Sequence, residues 1–335
     1  MTPVAKRAQF RDWMEASVSP SAIKTRDWET MLANSTYEAH KVIAKGSTVP
    51  KVGFVERSTL VTYNPNLVRW TIMAILQPIE AKIQRVWSAG LDLLVQLGSP
   101  YNTQSSTDPC FLWNPLKNAF SLLPLFNSIF KVTTLAYGTF GFDRAIMAIG
   151  TSPSQEVIIE ILLLKKGMES SWKKFGTLSP SCPIPSECDL VECNGSFYIY
   201  SPAHMLIELT VNAPWITYHE NGPDCNAKNP KLLVCDNTLM LVDADDNNEH
   251  YTMWKYQPQL QMQSPWVCFF QIETPISFRE QANLVSIQAS GPLLFFFYSD
   301  RETFVFNSRK PGWVPFAKCP AQPTKFPILW EEEDS

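Results

Sequence analysis

The sequence predicts an all-β fold, a six-bladed β-propeller preceded by a short N-terminal helical segment, and three observations carry that expectation. The first is the stretch Asp108 to Leu125 (DPCFLWNPLKNAFSLLPL), where an apolar run stops at Asn114-Pro115, turns over Leu116-Lys117-Asn118 and resumes at Phe120. The second is recurrence. An apolar run, a small polar residue or Pro, a polar turn and a closing aromatic return at Val61 to Trp70, Ile161 to Trp172, Phe197 to Leu209, Leu239 to Trp254 and Phe296 to Trp313. Their spacing of roughly 40 to 60 residues is the period of a propeller blade. The third is turn chemistry. Asn194-Gly195, Asp236-Asn237 and Ser290-Gly291-Pro292 each sit between two β-rich runs, and such residues supply the positive φ that tight hairpins need.

Residues 1–48 read as a helical preface, because Ile23, Trp28, Met31, Leu32 and Tyr37 fall near helical spacing and Ser19 or Ser21 with Pro20 supplies a helix start. Residues 49–325 read as the propeller and 326–335 as an acidic tail. The six blades are expected at 51–75, 85–125, 130–175, 188–218, 230–272 and 282–318. Ile72 to Trp87 fits either strands or a helix broken at Pro78. A Trp near the end of a blade fills the wedge that widens toward the rim, which accounts for Trp70, Trp172, Trp254 and Trp313.

Composition bounds the function. With 45% apolar and 18% charged residues, 11 Trp and 20 Phe, the chain has ample core material, and a formal charge of −4 offers no basic field for phosphate backbones, so no nucleic-acid partner is expected. No apolar run approaches the roughly 18 residues needed to cross a bilayer, and Met1 to Trp13 lacks a signal-peptide core. The expectation is a cytoplasmic or nuclear protein without a membrane partner, its eight Cys reduced.

Motifs for chemistry are missing from the sequence. The four His (40, 204, 219, 250) stand apart from one another, and Cys182, Cys188 and Cys193 do not have zinc-ligand spacing. Asp243 to His250 lacks the Gly and Glu of a calcium loop and reads as a solvated turn, and there is no GxSxG or GxxxxGK[ST]. No catalytic residue, metal or cofactor is expected. A ligand-binding or enzymatic propeller would need polar groups on the axis, and the runs expected there, Leu91 to Val95, Leu232 to Cys235 and Leu294 to Phe297, hold Asp92 as their one charge.

Taken together, CFLWNPLKNAFSLLPL, LVECNGSFYIYSP, SPWVCFFQIETP, FVFNSRKPGWVPFAKCP and YNPNLVRW resemble, in order and spacing, the hairpins of plant F-box proteins with kelch-type or F-box-associated repeats. SAIKTRDWETMLANSTYEAHK is similar to the last helix of an F-box, without the Leu-Pro-rich opening, and no Gly-Gly of the kelch kind occurs. The resemblance implies a kelch-like propeller that presents a protein client to a cullin-type (SCF) ubiquitin ligase, with a Skp-type adaptor held by Ile23, Trp28, Met31 and Leu32. The catalysis would then belong to other subunits. Clients would meet aromatic and Arg side chains in loops, with Phe142, Arg144, Tyr218, His219 and Arg279 as candidates. The alternative is an adaptor-free scaffold that has lost a working F-box.

Overall fold

The structure, a computed structural model, describes residues 51–56, 59–64, 69–75, 83–89, 92–97, 110–115, 117, 119–140, 143–164, 170–179, 184, 188–201, 203, 205–220, 222–223, 225, 230–244, 250–259, 264–273, 284–298, 302–309, 311–316 and 327–330. For 51–75, apart from Leu60, and for 314–315 and 327–330, only the backbone is described. The expected helical preface, with Ile23, Trp28, Met31 and Leu32, lies outside the described residues, as do Phe142 and Arg279.

The first three strands are β1 (Lys51–Glu56), β2 (Thr59–Asn64) and β3 (Arg69–Ile75). A continuous four-strand blade follows: β4 (Ile83–Ala89), β5 (Asp92–Leu97), β6 (Cys110–Asn114) and β7 (Ala119–Leu122). The next is β8 (Lys131–Phe140), β9 (Asp143–Thr151), β10 (Val157–Leu164) and β11 (Trp172–Thr177). Then come β12 (Leu190–Cys193), β13 (Ser196–Ser201), β14 (Met205–Thr210) and β15 (Trp215–His219). After these are β16 (Lys231–Cys235), β17 (Thr238–Ala244), β18 (His250–Tyr256) and β19 (Trp266–Glu273). The last continuous blade is β20 (Leu284–Ser290), β21 (Leu293–Tyr298), β22 (Thr303–Asn307) and β23 (Trp313–Pro315). Finally β24 (Pro327–Trp330) returns to β1, pairing Val52 with Leu329 in the order β24-β1-β2-β3.

The first strands of the blades form a closed cycle, with β4 beside β8, then β12, β16, β20 and β24, which lies against β4 again. This is an all-β propeller. Two expectations are corrected. Five blades, not six, are continuous runs of the chain, and the remaining sheet is assembled from both ends of it. Among the described residues there is no helix, and Ile72 to Trp87 contributes the end of β3 and most of β4. Among the described residues of 51–75 there are three strands, and the ring's last inner position is filled by Pro327–Trp330, within the span expected as an acidic tail. Pairing β1 with β24 removes an open edge that would otherwise expose its N–H and C=O groups.

The tight turns form as their residues dictate. Asn194 and Gly195 have φ of 52° and 84°, and Asp236 and Asn237 have 52° and 55°, the double left-handed pattern whose twist matches the flanking strands. Gly291 alone is positive before Pro292, at 51°. In all five continuous blades two residues separate the paired ends of the first and second strands. These hairpins share one end of the ring, the turn face, and the links from second to third strand and from blade to blade share the other, the far face.

The core lies between blades. Trp172, Phe126, Phe130 and Leu162 pack with Leu94 and Cys110 of the preceding blade, and Phe197, Ile207 and Leu209 pack with Met147, Ile149 and Ile159. Trp254 and Trp313 join the next two interblade clusters, so these rings, like Trp172, fill gaps between neighbouring sheets.

Candidate protein-interaction surface

The three sequence-predicted client residues that are described, Arg144, Tyr218 and His219, do not converge. Arg144 is the second residue of β9 and is exposed at the turn face, whereas Tyr218 and His219 end β15 at the far face. Tyr218 accepts the Ser179 N–H at 3.3 Å across the blade boundary. Ile216, two residues earlier, reaches to 2.8 Å of the point where a Cβ on Gly176 would stand, so a larger residue there would push β15 off β11.

On the opposite side of β15, His219 belongs to a polar cluster that the sequence reading missed. Its Nε2 lies 2.9 Å from Glu208 Oε2, and Glu208 Oε1 accepts from Ser196 Oγ at 2.9 Å and from Tyr198 OH at 3.2 Å. The His219 ring meets Tyr256 of the next blade edge-on at 5.9 Å. Burial alone would raise the Glu208 carboxyl, but the hydrogen bonds from His219, Ser196 and Tyr198 and the His219 charge outweigh it and hold it below its ordinary value. Tyr198 is raised by burial and by the adjacent Glu208 charge, and Tyr256 in the same way. Glu208 sits between the hydroxyl and the imidazole, so the His219 ring bonds the carboxylate and not the Ser196 hydroxyl, and the cluster lacks the order of a Ser-His-acid triad. It is a hydrogen-bonded latch within one blade, and the His219–Tyr256 ring contact is its link to the next.

At the turn face the polar groups tie neighbouring strands together. Asn114 Nδ2 donates to Asp92 at 2.8 Å, and Gly195 N–H donates to Glu192 at 2.9 Å, where burial raises the carboxyl against that bond. Arg309 grips Asp236 through Nε at 2.9 Å and through a second nitrogen, and these bonds hold the Asp236 carboxyl below its ordinary value. At the far-face ends of the inner strands, Lys231 and the Leu232 N–H hold Asp189, and Arg85 donates to the Thr133 carbonyl. Of the runs expected to be inner, only Leu232 to Cys235 is innermost, in β16. Leu91 to Val95 and Leu294 to Phe297 fall largely in the second strands β5 and β21.

Thiol chemistry finds no support here. Burial pushes the Cys193 thiol up to about 11 and the Cys188 thiol up to about 12, with Asp189 adding to the latter, so both are protonated at neutral pH. Among the described residues no group of three or more His, Cys, Asp or Glu could hold a metal ion, and no helix is long and apolar enough to cross a membrane.

The rim is more telling. Phe120 (49% exposed), Leu122 (73%), Leu125 (68%) and Ile129 (61%) cluster on β7 and the segment after it, and Trp215 (69%) stands out from β15. The sequence predicts a strand at Phe120 to Leu125. That the strand is outermost, with its apolar side chains in solvent, depends on which blade edge it occupies.

No family model matches the chain and no curated protein matches it, so nothing found by comparison supports an F-box, kelch-type or plant assignment. Among solved structures, the chain is similar to the β-propeller domain of Cps50 (Swd1) from Myceliophteria thermophila, at 9% identity and a TM-score of 0.46 over 84% of this chain and 89% of that one. It is also similar to a chain of a mitotic checkpoint complex, at 11% identity and a TM-score of 0.46 over 85% of this chain and 87% of that one. The propeller assignment rests on the chain's own sheet order and closed cycle of inner strands.

Proposed function

We propose that this chain is a non-catalytic protein-interaction propeller. The observation that carries the reading is the contrast between its two kinds of side chain. The Glu208, Asp92, Asp236 and Asp189 carboxylates are bound to groups of their own fold, while large apolar side chains at the rim, Trp215 and Leu122 foremost, face solvent. Aromatic and apolar groups held on a rigid scaffold favour a protein partner.

Within that reading, the resemblance of 110–125 and of the other hairpins to F-box-linked repeats supports a finer role, the client-recognition subunit of a cullin-type ubiquitin ligase in the cytoplasm or nucleus. Ile23, Trp28, Met31 and Leu32 would meet the Skp-type adaptor, and Phe142, Arg144, Tyr218, His219 and Arg279 would contribute to client contacts. The test is mass spectrometry of proteins copurifying with the tagged full chain. Recovery of adaptor and cullin supports the ligase role. Recovery of clients alone supports an adaptor-free scaffold, and recovery of nothing over an unrelated control removes the interaction reading.

A further inference from the structure

The outer edge of β7 differs from the other outer edges whose side chains are described. β11 exposes Lys173 and Lys174, β19 ends in exposed Glu273, and β23 has three residues closed by Pro315. β15 packs Ile216 and Tyr218 onto the neighbouring blade. On β7 all four residues are exposed, and residues 119–130 contain no charged side chain. Lysines, prolines and cover are the usual means of keeping an edge from pairing with another chain, and β7 has none of them within its span.

The hydrogen-bond phase of that edge follows from the register. Leu123 N–H donates to the Cys110 carbonyl at 2.9 Å, and the pairs Phe111–Leu122, Leu112–Ser121, Trp113–Phe120 and Asn114–Ala119 follow. Bonded and non-bonded pairs alternate in an antiparallel ladder, so Ser121 and Ala119 bond to β6 while the N–H and C=O of Phe120 and Leu122 point outward. Pro124 lacks an N–H and closes the edge.

The two faces of the edge differ as well. Phe120 and Leu122 share a face with Phe111 and Trp113, and the Phe111 and Phe120 rings meet edge-on at 6.5 Å. Ala119 and Ser121 share the face of Leu112, which packs against the β8–β11 blade. Across that gap Lys174 is exposed and stands opposite Glu160 in the β10–β11 register, and the Glu160 carboxylate binds the N–H groups of Asn127 and Ser128. Lys117 stands in the turn before β7.

We propose that the β7 edge is a docking site for an extended partner segment, which adds to the blade as a further strand with alternating apolar and acidic side chains. The apolar set lies beside Phe120 and Leu122 and the carboxylates face Lys174 and Lys117, while the outward groups of Phe120 and Leu122 supply the main-chain ladder. This rests on the protein-interaction reading above and names where and how one class of partner is held.

The test is fluorescence anisotropy of the full chain with a labelled peptide, Thr-Val-Glu-Val-Glu-Val-Thr, beside the same peptide N-methylated at its central valine. Saturable binding is expected. It should weaken at least tenfold for the N-methylated peptide, for Leu122→Pro, which removes an outward N–H without touching the β6 ladder, and for Lys174→Glu. Absence of saturable binding, or binding indifferent to N-methylation and to both variants, overturns the proposal. So does a dimer in sedimentation that Leu122→Pro dissolves, because the occupant is then a second copy. If copurifying proteins persist unchanged in both variants, this edge is excluded while the wider interaction reading stands.

Discussion

The Glu160 carboxylate, wholly buried on β10, accepts the Ser128 N–H at 2.7 Å through one oxygen and the Asn127 N–H at 3.0 Å through the other. Residues 123–130 carry the chain from the outer strand of one blade to the inner strand of the next, and this clamp fixes their path. Glu160→Ala leaves two backbone donors without their acceptor and is expected to cost about 2–4 kcal/mol, with Glu160→Gln closer to half of that. Urea unfolding midpoints of the two variants measure it.

Trp172 holds the same segment from the other side. Its Nε1 donates to the Pro124 carbonyl at 2.9 Å, and its ring lies 4.4 Å from that of Phe126. Trp172→Ala is expected to cost about 3–5 kcal/mol through the lost ring and the cavity left between blades. Trp172→Phe keeps most of the packing, so it should cost clearly less. Thermal and urea unfolding separate the two.

Gly150 lies opposite Val132, where the backbone of β8 comes close to it. A Cβ there would stand 2.2 Å from the Lys131 carbonyl oxygen and 2.3 Å from the Phe130 ring, beside the register shift between Val132 and Thr134. Gly150→Ala must displace backbone, and a loss of about 1–3 kcal/mol or more is expected. Gly312→Ala, with nothing within 4 Å of its Cβ, is the control and should leave the unfolding midpoint in place.

The Glu208 latch gives the acid limb of stability a definite sign. Its folded carboxyl titrates below its ordinary value, so its contribution is present above the unfolded pKa and is lost as pH falls below the ordinary carboxylate range and through the folded pKa. The facing groups are Ser196, Tyr198, His219 and, across the gap, Tyr256, and both tyrosines are raised away from this window. His219→Ala removes one of the bonds that lower Glu208 and should flatten the stability loss over that range, measured as urea midpoints against pH.

Thiol accessibility should follow burial. Cys268 is exposed, whereas Cys193 and Cys188 are raised to about 11 and about 12 by burial. Mild alkylation at neutral pH followed by peptide mapping should label Cys268 well before either of them. Equal rates would mean that the interblade packing around Cys193 is open.

What the chain displays locally was legible in its residues. Asn194-Gly195 and Asp236-Asn237 encode their hairpins because positive φ is a property of the residue pair itself, and Trp172, Trp254 and Trp313 announce interblade wedges because a ring that large must be covered by something. Glu208 and His219, eleven positions apart on neighbouring strands, were not legible as a pair, because their meeting depends on the register between β14 and β15. Nor was the exposure of Phe120 and Leu122, since an apolar strand reads the same at a rim as in a core.

The sequence by itself determined that this is an all-β chain of repeated hairpins with large rings to bury, because periodicity, turn residues and bulk act over a few neighbours. Only the tertiary structure decided that five blades are continuous, that the remaining sheet joins Lys51–Glu56 to Pro327–Trp330, and that β7 is left with an open edge. Those outcomes follow from closing a ring. Which strand pairs across the whole length of the chain, and which is left outermost, is settled by geometry among distant segments.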